Sequence, residues 1–283
     1  MIAFPLVDTH LHIWDPRRIR YPWLDDIPLL NAPYLIEDYR KACGPVSVDK
    51  MVFVQAEADF QMYRDEVRWV TEVAEKDPGI CGIVAWAPLE KGDAAEEEVA
   101  ALAENCLVKG IRRIIQFEPD PDFCLMPNFI AGVRMLPKYN LSFDICISHS
   151  QFEQALSMVE KCPDVTFIMD HIAKPDIKHQ VFSPWKKHLK QLSTFPNVWC
   201  KMSGLVTEAD FENWTIDDLR PYIEHVIDCF GFSRVMYGGD WPVAYQATEY
   251  PRWVATLEKV LEGSSEQELM ALFHDNGEKF YRV

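Results

Sequence analysis

Apolar residues along this chain alternate between two rhythms. Short runs rich in Val, Ile, Phe and Met fall at Ala3–Val7, Met51–Gln55, Cys81–Trp86, Gly110–Ile115, Ser142–Ile147, Val165–Asp170, Val198–Met202 and Arg234–Gly239. Each is bounded by Pro, Gly, Asn or charged residues, which marks them as strands. Between them the apolar spacing changes to three and four. Val67, Val70, Val73 and Ala74 within Asp65–Lys76 trace one helical face. Similar patterns cover Ala94–Asn105, Gln151–Lys161, Ser183–Thr194, Ile216–Phe230, Tyr250–Leu261 and the short Gln267–Phe273. The run Glu96-Glu97-Glu98 reads as a solvated helix face.

Strands separated by helices form βαβ units and a parallel sheet. Eight such strands in 283 residues fit an α/β fold of the (β/α)₈ barrel type, as a single domain over residues 1–283. No G-x-G-x-x-G or G-x-x-x-x-G-K-[ST] follows a strand, so the common nucleotide-binding folds are excluded. The segment Asp15–Pro33 is too long for a simple βα turn, and a loop over the barrel mouth is expected there.

Composition narrows the partners. The net charge of −16 disfavours nucleic acid and anionic membranes, which select basic surfaces. No apolar run approaches the roughly 18 residues of a membrane span. The chain starts without a basic segment leading into an apolar one, so no signal peptide is read. The eight cysteines are scattered without a C-x-x-C pair, which points to free thiols in a cytoplasmic protein. A small molecule is the expected partner, and a homo-oligomer is compatible with everything above.

Barrel enzymes place their chemistry at the C-terminal ends of the strands. The first strand leads into Asp8-Thr9-His10-Leu11-His12, where spacing by two puts both imidazoles on one face. The sixth ends in Asp170-His171, the eighth in Gly239-Asp240-Trp241. His10, His12, His171 and Asp240 make a three-imidazole, one-carboxylate set suited to zinc or a similar divalent ion. Asp240 is also the candidate general base. Asp170 is read as orienting a histidine or capping the strand. Around this set, Arg112, Gln55, Lys201 and Ser203 lie on strand-end faces, with Trp14, Trp23 and Trp241 beside them. Arg112 and Arg113 point to opposite faces, and periodicity leaves open which one meets the site. His149, beyond the fifth strand, is either a further ligand or a loop residue.

The segments VDTHLHIWDP, YPWL, VFVQAEAD, KGIRRIIQ, FDICI, DHIAKP, KMSGL and GGDWPV, in this order, resemble the amidohydrolase superfamily. More narrowly, they are similar to its sugar-lactonase branch, which includes L-fuconolactonase and L-rhamnonolactonase-like hydrolases. The resemblance runs to the terminal NGEKFYRV. It implies a metal-dependent barrel that hydrolyses a sugar-acid lactone. By matching positions, His10, His12, His171 and Asp240 would serve metal and catalysis, while Arg112, Lys174 and Lys201 would contact substrate. The chain departs from the superfamily at strand four, which offers Arg and Gln, and at strand five, which ends Ile147-Ser148. One metal ion, or none tightly bound, is therefore expected instead of two.

On this reading Asp240 activates water for attack on a lactone carbonyl. Two other functions fit the same residues. A barrel decarboxylase or hydratase acting on an unsaturated carboxylic acid would use Arg112 or Arg113 as a carboxylate clamp. A non-catalytic sugar-binding barrel would have no use for Asp240.

Overall fold

The computed structural model describes residues 2–283. Eight strands alternate with helices: β1 (Leu6–Leu11), β2 (Val48–Val54), β3 (Ile80–Ala85), β4 (Val108–Ile111), β5 (Ser142–Ile145), β6 (Phe167–Met169), β7 (Val198–Met202) and β8 (Val235–Tyr237). Each pairs in parallel with the next in sequence, β1 through β8. The ring closes where β1 meets β8. Asp240 N donates to the His10 carbonyl at 2.8 Å, and His12 N donates to the Trp241 carbonyl at 2.8 Å. Gly238 permits this approach, since a Cβ there would lie 2.7 Å from the His10 Cβ. The result is a nearly closed (β/α)₈ barrel.

The helices α1 (Ile36–Ala42), α2 (Tyr63–Ala74), α3 (Glu96–Ala103), α4 (Pro127–Met135), α5 (Phe152–Lys161), α6 (Trp185–Leu192), α7 (Ile216–Phe230) and α8 (Tyr250–Val260) surround the strands. Two more, α9 (Glu266–Met270) and α10 (Asn276–Tyr281), end the chain around a π turn. On α2, Val67, Trp69, Val70 and Ala74 are buried while Arg64, Arg68 and Glu72 stay outside. The acidic run opens α3, where carboxylates favour the positive end of the helix, and Glu98 folds back onto Arg64.

The strands expected from sequence all form, with shifted ends. β1 starts later than Ala3 and extends through His10 to Leu11, so the first histidine sits on the strand itself. α1 and α4 occupy stretches where no helix was expected. Segment 15–33 carries a short 3₁₀ turn at Pro22–Asp26 and returns through a Trp14–Tyr34 bridge. It is tied down by the Trp14 indole N–H, which reaches the Leu30 and Ala32 carbonyls, and by Trp23 Nε1 donating to the Ala56 carbonyl at 2.7 Å. No helix among the described residues is long and apolar enough to cross a membrane.

Candidate active site

A cavity of about 550 Å³ opens at the C-terminal ends of the strands. His12, Arg112, Cys146, His171, Lys174 and Asp240 lie around its inner part.

Asp240 is the point of convergence. Its Oδ1 lies 3.6 Å from His12 Nε2 and 3.8 Å from His10 Nε2, and its Oδ2 lies 4.0 Å from His171 Nδ1. Asp240 holds a left-handed backbone, φ +54°, a conformation that non-glycine residues adopt only under constraint. The constraint here is the N–H bond to the His10 carbonyl across the barrel seam. Burial alone would raise the Asp240 carboxyl. The facing His171 and the adjacent His12 and His10 outweigh it and hold the carboxyl below its usual range. It is therefore ionised at neutral pH.

The imidazoles are each fixed from behind. His12 Nδ1 meets the Val54 carbonyl at 2.7 Å, which assigns the proton to Nδ1 and turns the Nε2 lone pair toward Asp240. His171 Nδ1 is 3.0 Å from Ser203 Oγ. His10 is fully buried, with Nδ1 at 3.5 Å from Asp170 Oδ1 and 3.3 Å from Lys201 Nζ. Burial lowers all three imidazoles, His171 to about 4, so they are neutral near pH 7; the His12 Nε2 lone pair is open, while that side of His10 is shared with Arg112 NH1 at 3.3 Å.

The sixth strand ends in an unusual turn. His171, Ile172, Ala173 and Lys174 are all left-handed, with φ of 51°, 49°, 64° and 46°. Such residues cost roughly 1–2 kcal/mol each relative to right-handed backbone. Trp185 Nε1 holds the turn by donating to the Ile172 carbonyl at 2.7 Å. The turn directs both His171 and Lys174 into the cavity. Opposite it, Gly204 has φ +65°, and a Cβ there would stand 2.4 Å from His171 Nδ1. Only glycine leaves room for the ring.

Beneath the cavity lies a buried charged layer. Lys201 Nζ contacts Asp144 Oδ2 at 2.6 Å and Asp170 Oδ1 at 3.1 Å. Arg112 NH1 reaches Asp170 Oδ2 at 3.2 Å and His10 Nε2 at 3.3 Å, while its NH2 donates to the Gln55 carbonyl. Tyr281 donates to Asp144 Oδ2 at 2.7 Å from the end of the chain. Burial opposes ionisation of Asp170, and the adjacent Lys201, His10 and Arg112 overcome it, so this carboxyl falls well below its usual range.

Sequence-expected residues thus separate into two groups. His12, His171, Asp240, Arg112, Lys174 and Trp14 line the cavity. Lys201 does not: it is 0% exposed, one level below, and supports His10. Gln55 turns its side chain to Glu57 (Nε2 to Oε1, 2.8 Å), and Trp241 packs against Tyr34 and Tyr39 outside the cavity wall. Arg113 leaves the barrel interior to pair with Glu90 and Glu118. His149 Nδ1 donates to the Lys174 carbonyl at 2.9 Å and steadies the turn. Sequence reasoning missed Asp144, Tyr281 and Asp8. Asp8 accepts from His10 N, Gly239 N and the hydroxyls of Tyr39 and Tyr250, which pins β1 to β8. The one signal for Asp8 and Asp144 is a carboxylate inside an otherwise apolar strand.

The donor set can be tested against a divalent cation. Atoms of His10, His12 and Asp240 lie within 4.8 Å of one another, and all three residues are buried. Zinc bonds of about 2.0–2.1 Å place tetrahedral ligand atoms roughly 3.3 Å apart, close to the 3.6 and 3.8 Å found here. Two neutral imidazoles and an ionised carboxylate fit such an ion. A second group, His10, Asp170 and His171, shares His10, but its carboxylate already serves Lys201 and Arg112.

The family model described as Amidohydrolase matches residues 7–283. The chain belongs to this family. It is accordingly a hydrolase. An uncharacterized protein, y4mH, of Sinorhizobium fredii is 32% identical over the whole of both chains. An L-fucono-1,5-lactonase of Burkholderia ambifaria is 28% identical, covering 98% of this chain and 95% of its own. A crystal structure of an amidohydrolase from Burkholderia multivorans with bound zinc superposes with a TM-score of 0.89 at 26% identity, covering 99% of this chain and all of that one. That neighbour's zinc and the His/Asp group here together support a divalent metal in this amidohydrolase.

Proposed function

We propose that this amidohydrolase is a lactonase that opens a sugar-acid lactone, such as L-fucono- or L-rhamnono-lactone, to its hydroxy acid, and that residues 1–283 act as one domain on this small molecule. The observation that carries the reading is the ionised Asp240 carboxylate, facing three neutral imidazoles at the floor of a cavity large enough for the substrate. The similarity to a fuconolactonase over nearly the whole chain supports it.

The residues divide the work as follows. His10, His12 and Asp240 would hold one divalent ion, zinc by their donor chemistry, with His171 beside them. That ion would lower the pKa of a water and polarise the carbonyl. Asp240 takes a proton from the attacking water, whose oxygen bonds to the lactone carbonyl carbon. The bond from that carbon to the ring oxygen then breaks, and Asp240 returns the proton to the departing oxygen. His171, neutral and oriented by Ser203, hydrogen-bonds the reacting oxygens. Lys174 and the Arg112 guanidinium stabilise the negative charge that develops on the carbonyl oxygen. Trp14, fully buried, backs Trp23 at 5.3 Å, and the half-buried Trp23 ring offers an aromatic face to the sugar ring. Gln55, Lys201 and Trp241 act from outside the cavity by holding Glu57, His10 and the loop aromatics.

A decarboxylase clamp would need two free donors of one arginine to hold a carboxylate, whereas a carbonyl oxygen needs only one N–H. Arg112 is engaged by Asp170 and the Gln55 carbonyl, and Arg113 by Glu90 and Glu118. The test is acid release from a panel of aldono-lactones, followed with a pH indicator, by wild type and Asp240→Asn. Wild type should hydrolyse at least one, and the variant should lose roughly 10²–10⁴-fold in kcat/KM. Near-wild-type turnover by the variant would remove Asp240 from the mechanism.

A further inference from the structure

The cavity mouth has two unlike sides. On the side built by the loops after β1 to β4, Trp14, Trp23, Phe60, Trp86 and Phe117 line the cavity. Across it, the loops after β6 to β8 contribute Lys174, Thr207, Val243 and Gln246. Two of the aromatic residues are open to solvent, Phe60 at 59% and Phe117 at 73%. They come from different loops. Phe60 stands edge-on to Trp86 at 5.8 Å, and Trp86 packs against Tyr63 at 4.6 Å, so the patch rests on a fixed aromatic base. Large rings grouped in the open at a ligand cavity mark a surface that an apolar group covers.

Charge sharpens the identity of that group. The carboxylates of Glu57, Asp59, Glu90 and Glu118 line the same side; Arg113 there pairs with the last two, and Lys91 Nζ lies 5.8 Å over the Phe60 ring, so the balance stays negative. An anionic substituent would be repelled. A sugar lactone ring is polar, with hydroxyls on most of its ring carbons, and it would leave Phe60 and Phe117 uncovered in a cavity of about 550 Å³.

We propose that the β1–β4 side of the mouth is a subsite for an uncharged apolar substituent, aryl or alkyl, carried on the lactone ring of the substrate. This rests on the lactonase reading above and specifies its substrate class. The ring's carbonyl sits at Asp240, and the substituent extends past Trp86 to Phe60 and Phe117.

Two measurements test it. The first compares kcat/KM for a phenyl-substituted δ-lactone, its unsubstituted parent and L-fucono-1,5-lactone. The second titrates the matching phenyl-substituted and unsubstituted hydroxy acids into the protein and follows tryptophan fluorescence. Both use wild type, Phe60→Ala and Phe117→Ala, whose exposed rings can be removed without disturbing the core. The phenyl lactone should be preferred, and each variant should cut the phenyl-to-parent ratio by roughly three- to tenfold, in turnover and in binding. Hydrolysis of lactones with no phenyl preference, or a preference that both variants retain, overturns the subsite and leaves the lactonase standing. If no lactone is hydrolysed the lactonase reading fails, and the fluorescence titration decides the subsite alone. Tighter binding of the phenyl acid, lost in the variants, then upholds it, and equal binding of the two acids refutes it.

Discussion

Replacing Lys201 by methionine removes the cation from the layer beneath the cavity while keeping most of the side-chain volume. Lys201, Asp144 and Asp170 are all fully buried, with Nζ 2.6 Å and 3.1 Å from the two carboxylates. In the variant Asp170 keeps Arg112 at 3.2 Å, whereas Asp144 keeps only the neutral Tyr281 hydroxyl at 2.7 Å. Breaking a buried pair by removing one partner costs about 3–5 kcal/mol, because a charge is left without compensation. The remaining hydroxyl bond offsets on the order of 1 kcal/mol of this, so the expected loss is about 3 kcal/mol. Removing the stranded charge as well should return most of it, leaving Lys201→Met/Asp144→Asn within roughly 1–2 kcal/mol of wild type. Burial already raises the Asp144 carboxyl, and loss of the opposing Lys201 charge raises it further. A carboxyl raised by folding keeps its proton in the native chain while the unfolded chain ionises, so stability falls as pH rises. The deficit of Lys201→Met should therefore widen between pH 5 and 8. Urea unfolding of wild type, both single variants and the double, read by far-UV circular dichroism, measures all of this. A single-variant loss below about 1 kcal/mol, or a double variant no more stable than Lys201→Met, would refute the reasoning.

Three further outcomes follow from the same geometry. Gly204→Ala should fold yet lose on the order of 10²-fold in turnover, since its Cβ would displace the His171 ring from 2.4 Å away; wild-type kinetics in this variant would contradict the placement of His171. Dialysis against a chelator should lower Tm and activity together, and zinc at 100 times its Kd should restore about 2.7 kcal/mol of stability; metal content by elemental analysis shows whether the recovered protein holds one ion per chain. Glu66 is buried, which raises its carboxyl from 4.5 to about 8, and its Oε1 accepts from Ala56 N. The raised carboxyl contributes stability that is complete below the lower value and lost as pH rises through the upper one. Glu66→Gln, neutral throughout, should thus gain on wild type by up to a few kcal/mol between pH 5 and 9, and parallel stability curves would show that Glu66 titrates normally.

The strands were legible because each combines an apolar run with flanking breakers, and the site because imidazoles and carboxylates stand at strand ends, where a barrel leaves them facing one opening. α1 and α4 were not, since Ile36–Ala42 is short and α4 starts at Pro127, which reads as a breaker although proline suits a helix's first turn. Missing α1 also hid Tyr39, whose hydroxyl holds Asp8 at 2.8 Å. The left-handed turn at His171–Lys174 has no signal in residue type, because Ile172 and Ala173 rarely adopt it.

The placement of Lys201 shows what periodicity omits. A period of two assigns the face of a strand and is silent on height along the barrel. Lys201 and Ser203 share a face, yet Ser203 touches His171 at the cavity while Lys201 lies one pleat lower against His10. The same step separates Asp144 from Cys146 on β5 and beyond it, and His10 from His12 on β1 and beyond it: the upper member lines the cavity and the lower does not. Of the lower residues, His10, Asp144 and Lys201 come from the odd-numbered strands β1, β5 and β7, and Arg112 and Asp170 join them from the ends of β4 and β6. Lys201 and Arg112 balance Asp144 and Asp170 in this region. Asp240 above is then a carboxylate without a cationic partner at close range, facing only neutral rings. The surrounding imidazoles favour its ionised form, and an anion among neutral donors would attract a divalent cation to His10, His12 and Asp240. The charge-balanced layer would thus leave His12 and Asp240, with His10 Nε2 reaching up to 3.8 Å from the carboxylate, as the place for a divalent ion.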